Sequence, residues 1–495
     1  MKMVKSLLLG SAAGLVAVAG AQAADLPVKA KAVEYVKVCS AYGAGYYYVP
    51  GSDTCLKIGG YVRLDTYINA VGTFNPAISS ATGNAFNSPG VGVAGFPYQT
   101  NDRADYLTRA RGVFDMDART ATDYGVLRSY VRFGGQWDSQ ASAGSPTGGS
   151  LYFERAFIQF AGFTFGYTQS FFDFGRNYML TTPYAGSSAW STVIAYTAQF
   201  GNGFSATLSL EDAAMRTTGV QATSTGYAPT AWSATGGGLP AGSSTTGLSY
   251  TNYQEGQQVP DIVANLRLDQ AWGSVLLSGA LHQVAGVTPV AAGATYLGGS
   301  GSDSWGWAIG GGLEFKLPML APGDSLFIQA SYADGAINYA GLSGSSQARA
   351  TALGALDISS GGVISGAYYP IADAVWNGTG YSKESAWSIQ GQFRHYWVPN
   401  IRSAVYGGYV SVDVPPNTVF ATSVNMWQVG LNTIWSPVKN LDLGLEVLYS
   451  KVDGDAPLAN YTTSPTGVCS AATTCTTVGG STDVWSGGFR AQRNF

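Results

Sequence analysis

Charged residues in the first third of the chain keep a regular spacing. Arg63 and Asp65, Arg109 and Arg111, Asp115 and Asp117, and Arg128 and Arg132 stand two or four residues apart, and Arg155 follows further on. Spacing by two puts side chains on one face of a β-strand, so these residues would line a surface with fixed charge. The chemistry of such a surface is electrostatic: it attracts or repels ions and makes no bond. Groups that make and break bonds are scarce. Only His282 and His395 are present, neither beside a Ser/Asp arrangement suited to nucleophilic catalysis. Gly43-Ala44-Gly45 lacks the βαβ context of a nucleotide fingerprint. The four cysteines fall as two close pairs, Cys39 with Cys55 and Cys469 with Cys475, neither spaced as a zinc or redox CxxC motif. No enzyme, metal or cofactor is expected, and in an oxidising compartment each pair is expected to close a structural disulfide.

The N-terminus points to that compartment. Lys2 and Lys5 precede an apolar stretch from Leu7 to Ala19 and an Ala21-Gln22-Ala23 cleavage signal, the pattern of an export signal. Residues 1–23 are therefore expected to be removed, with the mature chain beginning near Ala24. Removing two lysines from 26 basic residues leaves 24 against 30 acidic, a net charge of −6 that disfavours a nucleic-acid partner. Only 11% of residues are charged, less than half the usual ~25%, yet mean hydropathy is just +0.06. No second long apolar run follows the signal, so no helix of ~20 apolar residues is available to span a bilayer. A bilayer otherwise admits only closed barrels, because unpaired backbone groups are too costly in hydrocarbon.

Alternation of apolar and polar residues supports that choice. Val62, Leu64 and Ile68 oppose Arg63, Asp65 and Asn69; Leu441, Leu443, Leu445, Val447 and Tyr449 oppose Asp442, Glu446 and Ser450. The same period predicts sixteen strands, at 57–70, 105–118, 124–137, 151–161, 163–171, 192–201, 203–212, 259–270, 273–284, 304–317, 324–334, 385–397, 401–412, 424–436, 440–452 and 483–495. Their connections alternate between short turns, such as Gly201-Asn202-Gly203 and Pro399-Asn400, and long Gly/Ser/Thr/Ala-rich stretches, such as 213–258 and 334–384. A secreted sandwich has no reason to keep that alternation; a barrel with short periplasmic turns and long external loops does. The fold class is all-β: a transmembrane up-and-down antiparallel β-barrel over 57–495, preceded by an N-terminal segment, 24–56. A lone arginine facing lipid at the bilayer midplane would cost ~2–4 kcal/mol. Arg63, Arg109, Arg111, Arg128, Arg132 and Arg155 are therefore expected on the lumen face, with Arg63, Arg111 and Arg132 nearest mid-height. Asp65, Asp115 and Asp117 share their strands. The residues alone leave open whether this is a salt-bridge ladder bracing the wall or a basic cluster that also tunes ion selectivity.

The last segment puts Trp485, Phe489, Ala491 and Phe495 on one face and ends on the aromatic residue. It resembles the insertion signal of outer-membrane barrels, which implies that Phe495 is read by the assembly machinery. Several stretches resemble the alphaproteobacterial porin family: Ala24-Asp25-Leu26-Pro27, Val33 to Cys39, Asp53 to Arg63, Glu154 to Gly166 and the closing Gln492-Arg493-Asn494-Phe495. The resemblance implies a homotrimer in the Gram-negative outer membrane, contacting lipid and lipopolysaccharide and passing small hydrophilic solutes by passive diffusion. It also implies that the third long loop, 172–191, folds into the pore as a constriction, with Asp173, Arg176, Asn177, Tyr178 and Tyr184 among its residues. The alternative is a substrate-selective channel, for example for sugars, in which Tyr61, Tyr67, Tyr130, Tyr184 and Tyr406 would form an aromatic track.

Overall fold

The computed structural model describes residues 37–68, 70–71, 75–76, 106–142, 145–181, 183–223, 250–252, 254–256, 258–287, 304–341, 355–356, 367–368, 372–376, 380–415, 423–458 and 476–495. The export signal lies outside these residues. Cys469 and Cys475, expected to close a second disulfide in the connection before the last strand, lie outside them too. The disulfide found among the described residues is therefore the first of the two expected, Cys39 with Cys55. It belongs to an N-terminal unit, the chain dividing after Lys57. Within that unit Tyr47–Tyr48 pairs with Leu56 and Cys55, and Tyr42, Tyr46 and Tyr48 pack around the two sulfurs.

The second unit is a closed antiparallel barrel of sixteen strands. In chain order they are β1 (Cys55–Ile68), β2 (Tyr106–Thr122), β3 (Gly125–Ser142), β4 (Ser145–Phe160), β5 (Phe163–Gln169), β6 (Trp190–Gly201), β7 (Phe204–Glu211) and β8 (Asp261–Gln270). There follow β9 (Gly273–Val284), β10 (Ser304–Lys316), β11 (Ser325–Asp334), β12 (Ser385–Val398), β13 (Ile401–Asp413), β14 (Ser423–Val438), β15 (Leu441–Leu458) and β16 (Thr476–Asn494). Each strand pairs with the next, and β16 returns to β1 with Arg490 opposite Asp65. Closure removes the free edges that hydrocarbon disfavours, although β5 meets β4 only over Ala156–Phe160.

The sixteen strands expected from alternation are the sixteen found. The ends differ most where β4, β15 and β16 continue beyond the expected bounds, to Ser145, Leu458 and Thr476. There Val452 to Leu458 pairs in register with Thr482 to Thr476.

Side-chain parity sorts polarity around the barrel. On β1, Tyr61, Arg63, Asp65 and Tyr67 are buried while Val62, Leu64 and Ile68 are exposed. The outer face carries an aromatic girdle near the long connections. Trp307–Tyr332, Trp387–Tyr409, Trp427–Tyr449 and Tyr449–Trp485 have ring centroids 5.4, 5.0, 5.0 and 4.9 Å apart. A second belt, including Phe163–Tyr196, Phe200–Phe204 and Trp272–Phe315, marks the end with short turns. On β14 Trp427 and Trp435 belong to opposite belts; eight residues at ~3.3 Å each give about 26 Å along the strand, the scale of a ~25 Å apolar band.

Gly60 closes the barrel where β1 meets β2. Its φ is +154°, and a Cβ there would lie 2.1 Å from the Val113 carbonyl oxygen, while its own carbonyl accepts the Phe495 N–H at 3.1 Å. Gly60→Ala is expected to add backbone strain on the order of 1–3 kcal/mol to that collision. The folded fraction, read as heat-modifiable gel migration, should fall sharply, whereas Gly407→Ala, which meets nothing within 4 Å, should leave it unchanged.

Candidate functional site: the charged lumen and the segment across it

The inward side chains of β16 and β1–β4 form a wall of arginines. Asp65, fully buried, is held between Arg63 at 2.9 Å and Arg490 at 2.6 Å, across the seam of the barrel. Arg109 grips Asp138 through two bonds of 2.5 and 2.7 Å. Asp117 serves two guanidinium groups, Arg119 at 2.9 Å and Arg128 at 2.8 Å. Arg132 pairs with Glu154 at 2.8 Å. Asp115 stands opposite Arg132 in register but makes no ion pair among the described residues, because Arg132 turns to Glu154. Two arginines have no carboxylate partner among those residues. Arg111 is bound by the neutral Gln136, and Arg155 lies over the Trp190 ring at 4.6 Å. Among the described residues of this wall, arginines outnumber carboxylates.

Aromatic rings support these cations. Arg63 and Arg132 both lie 5.2 Å from the Tyr61 ring, Arg111 is 5.0 Å from Tyr152, and Arg128 is 5.2 Å from Tyr130. A guanidinium over a ring face keeps its charge while losing part of its hydration.

Between β5 and β6 the chain runs inside the barrel, bound to inward side chains of the opposite wall. Asn265 and Ser278 donate to the Phe171 and Phe172 carbonyls at 2.6 and 2.9 Å. Arg176 pairs with Glu314 at 3.0 Å, and the Tyr178 hydroxyl donates to the same carboxylate at 2.9 Å. The Tyr178 N–H donates to Gln392 at 2.6 Å, and Asn432 donates to the Tyr178 carbonyl at 2.9 Å. Glu446 accepts the N–H groups of Leu180 and Thr181 at 2.5 and 2.8 Å, and the Tyr184 N–H donates to Gln428 at 3.0 Å. The wall is shaped to receive the segment: a Cβ on Gly312 would lie 2.2 Å from the Phe174 ring. Burial, aided by Glu314, pushes the Tyr178 phenol up to about 12, so it stays a neutral donor.

The residues named for this segment therefore face different surroundings. Arg176 is partly exposed and Tyr178 half-buried, both bound to Glu314. Asn177 is spent on the Met179 and Thr181 carbonyls. Tyr184 is fully buried in the wall. Asp173 is buried as well, accepting from Ser187 at 2.6 Å and the Ala189 N–H at 2.7 Å and pairing with Arg216 at 2.8 Å. Burial works against the Arg216 charge, but the Asp173 carboxylate outweighs it and holds the guanidinium above its usual range.

Glu154, Arg119, Arg490 and Glu314 belong to this arrangement and are absent from the site residues expected from sequence, while Glu446 is expected there only as a polar-face residue of its strand. Glu154 enters through a bulge: Arg132 faces Arg155 while Phe133 faces Phe153, so Glu154 and Arg155 both point inward. Its signal is a slip of phase, the exposed apolar residues being Leu151 and Phe153 before it and Ile158 after it. Arg490 carries a plain signal, since it alternates with the outward Phe489 and Ala491.

Comparison with known proteins agrees with this architecture. The family described as Porin subfamily matches residues 25–481, and the chain belongs to it. Porin Omp2b of Brucella abortus (strain 2308) and of Brucella suis biovar 1 are each 32% identical over 283 residues. Those matches cover 55% of this chain and 64% of the relatives, so the chain spans less than two thirds of their length. Among solved structures, the outer membrane channel DcaP of Acinetobacter baumannii is similar with a TM-score of 0.53 and 18% identity, over 90% of this chain and 99% of that one, a likeness of fold. Family and fold together place the chain in a Gram-negative outer membrane.

Removing the Glu446 carboxylate tests how the segment is held. Bonds to a charged acceptor contribute ~1.5–3 kcal/mol, so Glu446→Leu should speed hydrogen exchange of the Leu180 and Thr181 amides by about 10–100-fold. Exchange at the barrel-strand amides should stay as in the parent protein.

Proposed function

We propose that this member of the porin subfamily forms a water-filled channel through which small hydrophilic solutes and ions diffuse passively, with anions favoured. The observation that carries the reading is the imbalance across the lumen. On the wall of β16 and β1–β4, arginines exceed carboxylates, with Arg111 and Arg155 lacking an acidic partner among the described residues. On the other side, the carboxylates of Glu446 and Glu314 are engaged in holding the crossing segment. The segment acts as the constriction, and Arg63, Asp65, Arg109, Arg111, Asp115, Asp117, Arg128, Arg132 and Arg155 act as pore wall. Fixed charge at a narrow place sets which ions pass.

The wall also bears on the sugar-selective alternative. A sugar track needs open ring faces, whereas Tyr61, Tyr130, Tyr152 and Trp190 are covered by guanidinium groups. A homotrimer, contact with lipopolysaccharide and recognition of Phe495 by the assembly machinery belong to the same proposal, as does a second disulfide between Cys469 and Cys475. Phe495 supports the assembly reading: it is exposed, with its ring edge-on to Phe114 at 5.8 Å. His282 is held by Asp261 at 2.7 Å and His395 by Asp324 at 2.6 Å, as structural pairs.

Neutralising Arg111 and Arg132 together, as R111Q/R132Q, should shift the zero-current potential in a salt gradient towards cations without unfolding the barrel. A potential unchanged by the double substitution would contradict the role assigned to this wall.

A further inference from the structure

A second basic site lies on the other side of the crossing segment, at the end of the barrel with short turns. Register places it there: Arg394 faces Ser325 at the start of β11, Arg402 faces Ile434, and Asp442 faces Gln492 near the end of β16. Between these residues and the segment is a cavity of about 220 Å³, roofed by Asn177, Tyr178, Met179 and Leu180. Arg394, Arg402 and Arg490 all line it, with Asp442 as the acidic member.

The charges in this cavity do not cancel. Arg402 is paired with Asp442 at 2.7 Å, and that carboxylate also accepts from Ser436 at 2.5 Å. Arg490 is paired with Asp65 at 2.6 Å. Arg394 has no carboxylate within ion-pair distance among the described residues. Its Nη2 donates to the Gly323 carbonyl at 3.0 Å and to Ser325 at 3.3 Å, while its Nε is buried without a partner. The Tyr178 ring centroid lies 4.5 Å from the guanidinium. A guanidinium without a carboxylate partner among the described residues, standing on one cavity with two further arginines, suits a planar or tetrahedral oxyanion. The cavity has room for about seven waters at ~30 Å³ each, enough for a small anion with part of its hydration shell.

We infer that this cavity binds a small solute bearing a carboxylate or phosphate group, with Arg394 as its principal contact. The inference rests on the channel reading only for its purpose: the cavity would hold an anion between the constriction and the short-turn mouth. Binding itself is independent of conduction.

Equilibrium dialysis of inorganic phosphate, and separately of succinate, against the full chain in detergent tests it. The protein should take up either probe at a saturable site. R394Q/R402Q should weaken that uptake about tenfold or more. R394K, which keeps the charge and loses the planar fork, should weaken it less. If the double variant fails to fold, the single variants R394Q and R394K decide. Absence of saturable uptake by the folded parent, or uptake unchanged in R394Q, overturns the inference. In a planar bilayer, phosphate on the short-turn side should reduce the chloride current of the parent and not of R394Q/R402Q; reduction equal in both overturns the inference too. A parent protein that carries no current at all contradicts the channel reading instead, and the dialysis still decides the cavity.

Discussion

A charged side chain on the outer face of a transmembrane barrel would have to be held in hydrocarbon. That single cost, ~2–4 kcal/mol for an arginine at the midplane, organises the molecule. Strand parity offers only two destinations, so the paired arginines of β1–β4 are driven to the lumen. The outer face is left to Val62, Leu64, Phe114 and Phe133 and their like, and to two aromatic belts. Once inside, the arginines must be accommodated in a small volume. They find carboxylates where strand register supplies them and ring faces where it does not, as Arg155 does on Trp190.

The same accommodation divides the lumen into two unlike sides. Carboxylates on β10 and β15 accept from the crossing segment, through Tyr178 and Arg176 at Glu314 and through two backbone amides at Glu446. Using these groups as anchors removes them as partners for the facing arginines. On the proposed reading, structure and function are coupled through one set of charges: what fixes the segment in the bore also leaves the opposite wall positive. Asp173 and Arg216 tie the segment at its base in a fully buried pair, a geometry whose loss would strand a charge away from water.

The strands were legible in the sequence because the bilayer enforces alternation on each of them, and the lumen arginines were legible for the same reason. Where the bilayer stops, so does the signal, and β15 and β16 run past their expected ends. Parity also fails at a bulge, which hides Glu154 from a period-two reading while leaving a slip of phase behind. The partners of the crossing segment are harder to see. Glu446 is 266 residues from Leu180, and nothing local ties a carboxylate on β15 to a loop after β5. Asp173 and Tyr184 are expected as residues of the constriction loop, but the sequence shows their type and not their direction. In the structure both are buried.

The central claim is that an open lumen carries an excess of unmatched arginine. The zero-current potential of the unmodified protein across a salt gradient in a planar bilayer tests it most directly. The account predicts a steady, ohmic current whose reversal potential has the sign of an anion-preferring channel. A cation-preferring potential, or a folded barrel that passes no current, would contradict it.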